Sequence, residues 1–200
     1  MDSKQIIVQH LPKLILASQS EARRQLLEEL GCTVYVQKVD CDEDHGSSVG
    51  ALVVQDLAER KLNSYLDRYN TPEFPVITAD TMISCDGLLI GKPQDVHEAH
   101  DQLLRFQGKS HTVWSAFALY FPNGQRIVRG SDAAQVTFRH LNEVTINEYL
   151  IGGQWRGAAG SYRIQGAARS FISHITGDYT TVVGLPIQRI SAILSSLDSV

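Results

Sequence analysis

Apolar residues along this chain follow two rhythms. Short continuous runs, Leu14-Ile15-Leu16-Ala17 and Val76-Ile77-Thr78-Ala79, read as strands buried on both faces, and Thr33-Val34-Tyr35-Val36 reads as a third strand. Between them the spacing becomes helical. Ala22, Leu26, Leu27 and Leu30 share one face, with Ser18 or Ser20 as a cap and Gly31 as a stop. Val49, Leu52, Val53, Leu57, Leu62, Leu66 and Tyr69 predict a long helix over residues 49–69, closed by Asn70-Thr71-Pro72. Asp95 and Glu98 form a capping box for a helix reaching about residue 107. Residues 111–121 predict a strand, and Pro122-Asn123-Gly124 a turn with a return strand beyond it. Asn142 caps a short helix, and residues 171–175 predict a further strand. Residues 180–183 are expected to pair back as a strand, and Gly184-Leu185-Pro186 opens a last helix. Residues 1–12 are expected to be a loose lead-in. Strands and helices alternate early and hairpins dominate later, which predicts a mixed α/β fold in one domain over residues 1–200.

The chemistry gathers around Val76-Ile77-Thr78-Ala79-Asp80-Thr81. A buried strand that ends in a carboxylate presents it where ligands meet a sheet. Asp86-Gly87 is a tight-turn signal between Met82-Ile83-Ser84 and Leu88-Leu89-Ile90. Folding the hairpin there sets Asp80 roughly opposite Lys92 of Gly91-Lys92-Pro93. On these residues alone a structural ion pair is the plainer reading, and a site for metal-bound phosphate is the other. The strand, the loop Ser18-Gln19-Ser20 and the following helix make an anion-binding arrangement. Arg23 and Arg24 lie in that helix's first turn, the wrong end for cations, and either bind phosphate oxygens or point to solvent. The acidic run Asp40-Cys41-Asp42-Glu43-Asp44 reads as a solvated loop or as carboxylates for Mg²⁺ or Mn²⁺. Lys61, in mid-helix, reads on spacing alone as a surface lysine. His97 and His100 sit one turn apart with no third ligand and read as surface histidines. The stretch from Gly157 to Gly166 is rich in small residues and can approach a ligand closely, with Tyr162, Arg163 and Gln165 as its polar groups.

Composition narrows the class. Hydrophobic residues make up 43% and charged residues 20%, ordinary for a globular protein. A formal net charge of -4 argues against nucleic-acid or acidic-membrane partners. The three cysteines, Cys32, Cys41 and Cys85, have no CxxC spacing and fit reduced thiols, so a cytoplasmic setting is expected.

Taken in order, Leu14-Ile15-Leu16-Ala17-Ser18-Gln19-Ser20 with Arg23 and Leu26-Leu27, Ala79-Asp80-Thr81, Asp86-Gly87, Gly91-Lys92-Pro93, Gly108-Lys109-Ser110-His111, Ile164-Gln165-Gly166 and Val182-Val183-Gly184-Leu185-Pro186 resemble the Maf family of nucleoside triphosphate pyrophosphatases, first known as septum-formation proteins. The resemblance covers nearly the whole chain. It implies an elongated α/β fold similar to the inosine triphosphate pyrophosphatases, with a central ligand cleft. It implies cleavage of a nucleoside triphosphate to the monophosphate and pyrophosphate, a divalent metal (Mg or Mn) and a homodimer. By the same resemblance Asp80 is the catalytic proton acceptor, and Thr81 and Gln165 help choose the base. Ser18, Arg23, Glu43, Lys61 and Lys92 surround the phosphates and the metal, with Glu43 and Asp80 as metal ligands. The pyrimidine-preferring branch carries an arginine where this chain has Ala22, and the branch preferring 7-methyl-GTP carries tryptophan there. Thr81 and Gln165 favour dTTP and UTP, or modified pyrimidine nucleotides. Ala22, Gly157-Ala158 and Ser161-Tyr162-Arg163 leave open 7-methyl-GTP, or a nucleotide-binding regulator of cell division with little hydrolysis.

Overall fold

The computed structural model describes residues 2–45 and 47–197; Met1 of the expected lead-in and Gly46 of the acidic loop lie outside them. The chain begins α1 (Ser3–His10), β1 (Lys13–Leu16), α2 (Glu21–Leu30), β2 (Thr33–Val36) and α3 (Gly50–Tyr69). It continues through the hairpin β3 (Val76–Cys85) and β4 (Leu88–Ile90), α4 (Val96–Phe106), and the long strands β5 (Ser110–Phe121) and β6 (Arg126–Phe138). It closes with α5 (Glu143–Ile151), β7 (Ile172–Thr176), α6 (Tyr179–Val183) and α7 (Ile187–Leu197). The strands form one mixed sheet in the order β2-β1-β3-β5-β6-β7, with β4 also on β3. β2, β1 and β3 are parallel and the remaining pairs antiparallel, as the α/β expectation requires.

Strand parity sorts the core into three bodies. Leu14, Leu16, Ile77 and Ala79 point to one face, where α1, α2 and α7 bury Ile7, Leu27, Ile190 and Leu194 against them. Further along the same face, Ile83, Cys85, Val113 and Val136 pack under α4 and α5 with Phe106, Phe138 and Tyr149. On the opposite face Ile15, Ala17 and Val76 meet Val54, Ala58, Leu62 and Tyr65 of α3. Thr78 on that face donates its hydroxyl to the Ala58 carbonyl at 2.7 Å, which satisfies a buried polar group inside the contact.

Two expectations are corrected. Residues 1–12 are not a loose lead-in. Asp2 and Gln5 form a capping box that starts α1, and Ile7 and Leu11 are fully buried. Its packing partner is α7, at the far end of the chain, which no local pattern shows. Residues 180–183 do not pair as a strand. Asp178 caps the segment by accepting from the Thr180 N–H at 2.9 Å, and Gly184 ends it at φ 113 by donating to the Thr180 carbonyl, so a β-branched run becomes the helix α6.

Candidate active site

One edge of β3 is shared by two short neighbours. β1 pairs with it only at Val76 and Ile77, and β4 only from Ile83 to Cys85. β5 covers the other edge from Val76 to Ser84 without a break. Between β1 and β4 the sheet is therefore split at Ala79, Asp80 and Thr81. A split where strands part is where open α/β sheets take ligands. A cleft of about 730 Å³ opens there, within the usual range for a small-molecule site.

Asp80 shares the face of Val76 and Thr78, and so points at α3. The residue is buried, and its carboxylate forms an ion pair with the Lys61 ammonium. The same ammonium lies 2.8 Å from Glu43 Oε1, and Lys92 Nζ lies 3.6 Å from that oxygen. Burial pushes the Glu43 carboxyl up, but hydrogen bonding and charge from Lys61, with Lys92 behind it, hold it below its ordinary value. Burial would lower the Lys61 ammonium; Asp80 and Glu43 outweigh it and raise it. In the rest of the acidic run, Asp42 accepts from the Asp44 N–H and the Asp44 carbonyl accepts from Arg60, so Glu43 alone of the run reaches Lys61.

Thr81 has the opposite parity and faces α2 and α6. Arg23 enters the split from α2. Its Nη1 donates to the Ala79 carbonyl at 2.9 Å and to Ser18 Oγ at 3.1 Å, its Nε to the Gly184 carbonyl at 2.8 Å, and its Nη2 to Thr81 Oγ1 at 3.0 Å. Arg23 thus caps the strand edge that β1 and β4 leave unpaired. Burial lowers its pKa, and Asp80 and Glu43 pull it back upward. Thr81 lies opposite Ser115 in the β3–β5 register, with the hydroxyls 2.9 Å apart. The buried Ser115 hydroxyl donates to the Thr181 carbonyl at 2.8 Å, so Thr81 is left to donate to Ser115 while it accepts from Arg23. Arg24, the other member of the basic pair, stays on the helix surface with Glu21 and Glu28.

The far wall is the small-residue loop. Gly160 sits at φ +67, where a Cβ would meet Ile83 at 2.2 Å, so its close approach is to the core. Its N–H donates to the Gly91 carbonyl, which ties the loop to the end of β4 beside Lys92. Tyr162 turns inward to His111 Nε2 at 2.8 Å, and Arg163 donates to the Gln154 and Arg156 carbonyls. Gln165 is exposed on the cleft wall.

The profile of the Maf-like protein family matches residues 13–197. The chain belongs to the Maf family. The dTTP/UTP pyrophosphatase of Bordetella pertussis is 36% identical over 194 residues, 92% of each chain. That of Clostridium acetobutylicum is 35% identical over 192 residues, 91% of this chain and 96% of its own. A solved dITP/XTP pyrophosphatase from Mycobacterium abscessus covers 94% of this chain and 97% of its own, with 14% identity and a TM-score of 0.44.

In this Maf-family chain Ser18, Arg23, Glu43, Lys61, Asp80, Thr81, Lys92 and Gln165 all border the one cleft. Lys61 is no surface lysine, since its side chain is 11% exposed. His97 is exposed, and His100 bonds Glu143 away from the cleft. Ser115 and the Thr181 and Gly184 carbonyls escaped the sequence reading. Their signal is a strand register, which one sequence does not carry. Glu43 and Asp80 suit a divalent ion by donor type and placement. They are hard oxygen donors, and a single cationic centre, Lys61 Nζ, already reaches both. No group of three or more His, Cys, Asp or Glu gathers among the described residues. Among the described residues no helix is long and apolar enough to cross a membrane.

Proposed function

We propose that this Maf-family nucleotide pyrophosphatase cleaves the α–β phosphoanhydride of dTTP or UTP, or a modified pyrimidine counterpart, in a reaction dependent on Mg²⁺ or Mn²⁺. The observation that carries the proposal is Asp80, buried at the split in the sheet and flanked by Lys61 and Glu43. Water attacks the α-phosphorus, the bond to the bridging oxygen breaks, and nucleoside monophosphate and pyrophosphate leave. Asp80 takes the proton from the attacking water. Lys61 and Lys92 offset the charge of the triphosphate and of the departing pyrophosphate. Glu43 and Asp80 would hold the divalent ion, which would supply positive charge at the phosphates and make water a stronger acid. Arg23 holds the split open in a fixed shape through its four acceptors. Gln165 offers a donor and an acceptor together to a pyrimidine edge.

The test is a panel of dTTP, UTP, CTP, GTP, 7-methyl-GTP and modified pyrimidine triphosphates with Mg²⁺ and with Mn²⁺. Pyrophosphate and orthophosphate are scored separately. Pyrophosphate from dTTP or UTP is expected. Pyrophosphate from 7-methyl-GTP instead would reverse the base assignment, and binding without product would overturn the enzymatic one.

A further inference from the structure

Lys61 makes an unusual contact for a phosphate-binding residue. Its ammonium is spent on Glu43 and Asp80, the two carboxylates suited to the divalent ion. Its side chain is 11% exposed and that of Asp80 8%, so water does little to soften the interaction. Within the ion-paired group itself, Lys61 and Lys92 stand against Glu43 and Asp80. A free divalent ion arriving here meets an ammonium between its two ligands. Displacing that ammonium alone strands a buried cation, which is costly. A triphosphate changes this balance because its oxygens give the displaced ammonium a new partner, and the cleft places them beside Lys61 and Lys92.

We propose that Lys61 closes the divalent-ion site of the nucleotide-free protein, standing between Glu43 and Asp80, so that the ion is admitted together with a triphosphate and not before it. This rests on the reading of the cleft as a triphosphate site. It adds an order of events, in which the metal–nucleotide complex is the species that binds and Lys61 exchanges two carboxylates for phosphate oxygens. The arrangement keeps the carboxylates paired, and the cleft ordered, while no substrate is present.

The experiment reads metal binding and needs no turnover. Free Mn²⁺ is followed by its electron paramagnetic resonance signal during titration of the nucleotide-free wild type, Lys61→Met, and Lys61→Met combined with Glu43→Gln. The wild type is expected to bind Mn²⁺ weakly. Lys61→Met is expected to bind it roughly tenfold more tightly or better, because the buried Asp80 and the half-exposed Glu43 have lost the cation between them. The gain should vanish in the double variant. Equal Mn²⁺ affinity in wild type and Lys61→Met overturns the proposal. A second measurement on the wild type guards against a variant that misfolds. The Lys61 ammonium resonance in ¹⁵N-lysine-labelled protein should persist with Mg²⁺ alone and shift when Mg²⁺ and α,β-imido-dTTP are added together. A shift with Mg²⁺ alone also overturns it. If the nucleotide panel yields no product while Lys61→Met still gains Mn²⁺ affinity, the substrate reading fails and the Lys61 closure stands.

Discussion

Arg23→Lys separates two roles that the sequence leaves mixed. Arginine at this position bonds four protein acceptors, the Ala79 and Gly184 carbonyls and the Ser18 and Thr81 hydroxyls, at 2.8 to 3.1 Å. Lysine keeps the positive charge, but its single ammonium cannot span the strand edge, the α2 cap and the turn after α6 at once. At least two buried acceptors lose a charged donor, each worth roughly 1–3 kcal/mol, for a total of about 2–6 kcal/mol. In a chain of 200 residues that corresponds to a fall in Tm of roughly 10 °C. The assay is thermal unfolding without nucleotide, run beside KM for dTTP. A pin for the split predicts a large fall in Tm with kcat reduced as well. A simple phosphate clamp predicts little change in Tm and a raised KM, because the charge is retained. A Tm within about 2 °C of wild type would refute the argument that Arg23 holds the cleft together.

Asp80→Asn should lower kcat by about 10²-fold or more while pyrophosphate release is monitored, since the proton acceptor is gone. Near-normal turnover in that variant sinks the assignment. Lys92→Met should raise KM by roughly tenfold with Tm almost unchanged, because the lysine side chain is 54% exposed and its contact with Glu43 is 3.6 Å long. A large stability loss would contradict that placement. His111 carries a pH prediction. Burial pushes its imidazole down to about 4 from an ordinary 6.5, so below pH 6.5 the unfolded chain binds a proton that the folded chain refuses. Stability should therefore fall as pH drops from 6.5 toward 4, by roughly 3 kcal/mol over the whole window. His111→Gln should be less stable at pH 7 yet flatter across that window in urea unfolding. Equal slopes in the two proteins would exclude His111 as the source.

Local chemistry explains what the sequence could reveal. Asp86 and Gly87 take φ 51 and φ 78, the turn that their dipeptide predicts, and Asp95 caps α4 through the Glu98 N–H. The buried β3 run was readable, because periodicity records which face meets a core. The α3 stripe was readable in part: Val53, Leu57 and Leu62 are buried, whereas Val49, Leu52 and Tyr69 are exposed and Val54, Ala58 and Tyr65 complete the inward face. Lys61 was not readable. Its spacing on α3 says only that it is polar, and its burial follows from the parity that turns Asp80 toward the same helix. α1 and α6 were missed for a similar reason. Each is short, and packing on a distant element decides its form: α1 lies on α7, and α6 lies beside β5 and β6. The small residues of the 157–166 loop were expected to let backbone approach a ligand. The surface approached at Gly160 is Ile83 and Phe106.

The register also bears on how a base would be chosen. Thr81 is one of the two residues that resemblance links to base choice, yet its hydroxyl accepts from Arg23 and donates to Ser115. Its donor is engaged and one of its two acceptor positions is filled, so it holds the Arg23 guanidinium and, through Ser115, the Thr181 carbonyl in place. Tyr162 and Arg163 are likewise committed, to His111 and to the carbonyls of Gln154 and Arg156. Of these groups Gln165 is the one whose side chain is exposed at the cleft. Ala22, which also borders the cleft, brings no polar side-chain atom to it. On the proposed reading of the cleft as a pyrimidine nucleotide site, Gln165 would be the main side chain to hydrogen-bond the base, with the Thr81–Ser115–Arg23 group setting the shape it works in. On the same reading, a site with one adaptable amide and a rigid floor would discriminate mainly by fit, with the small Ala22 side chain leaving room at the cleft wall.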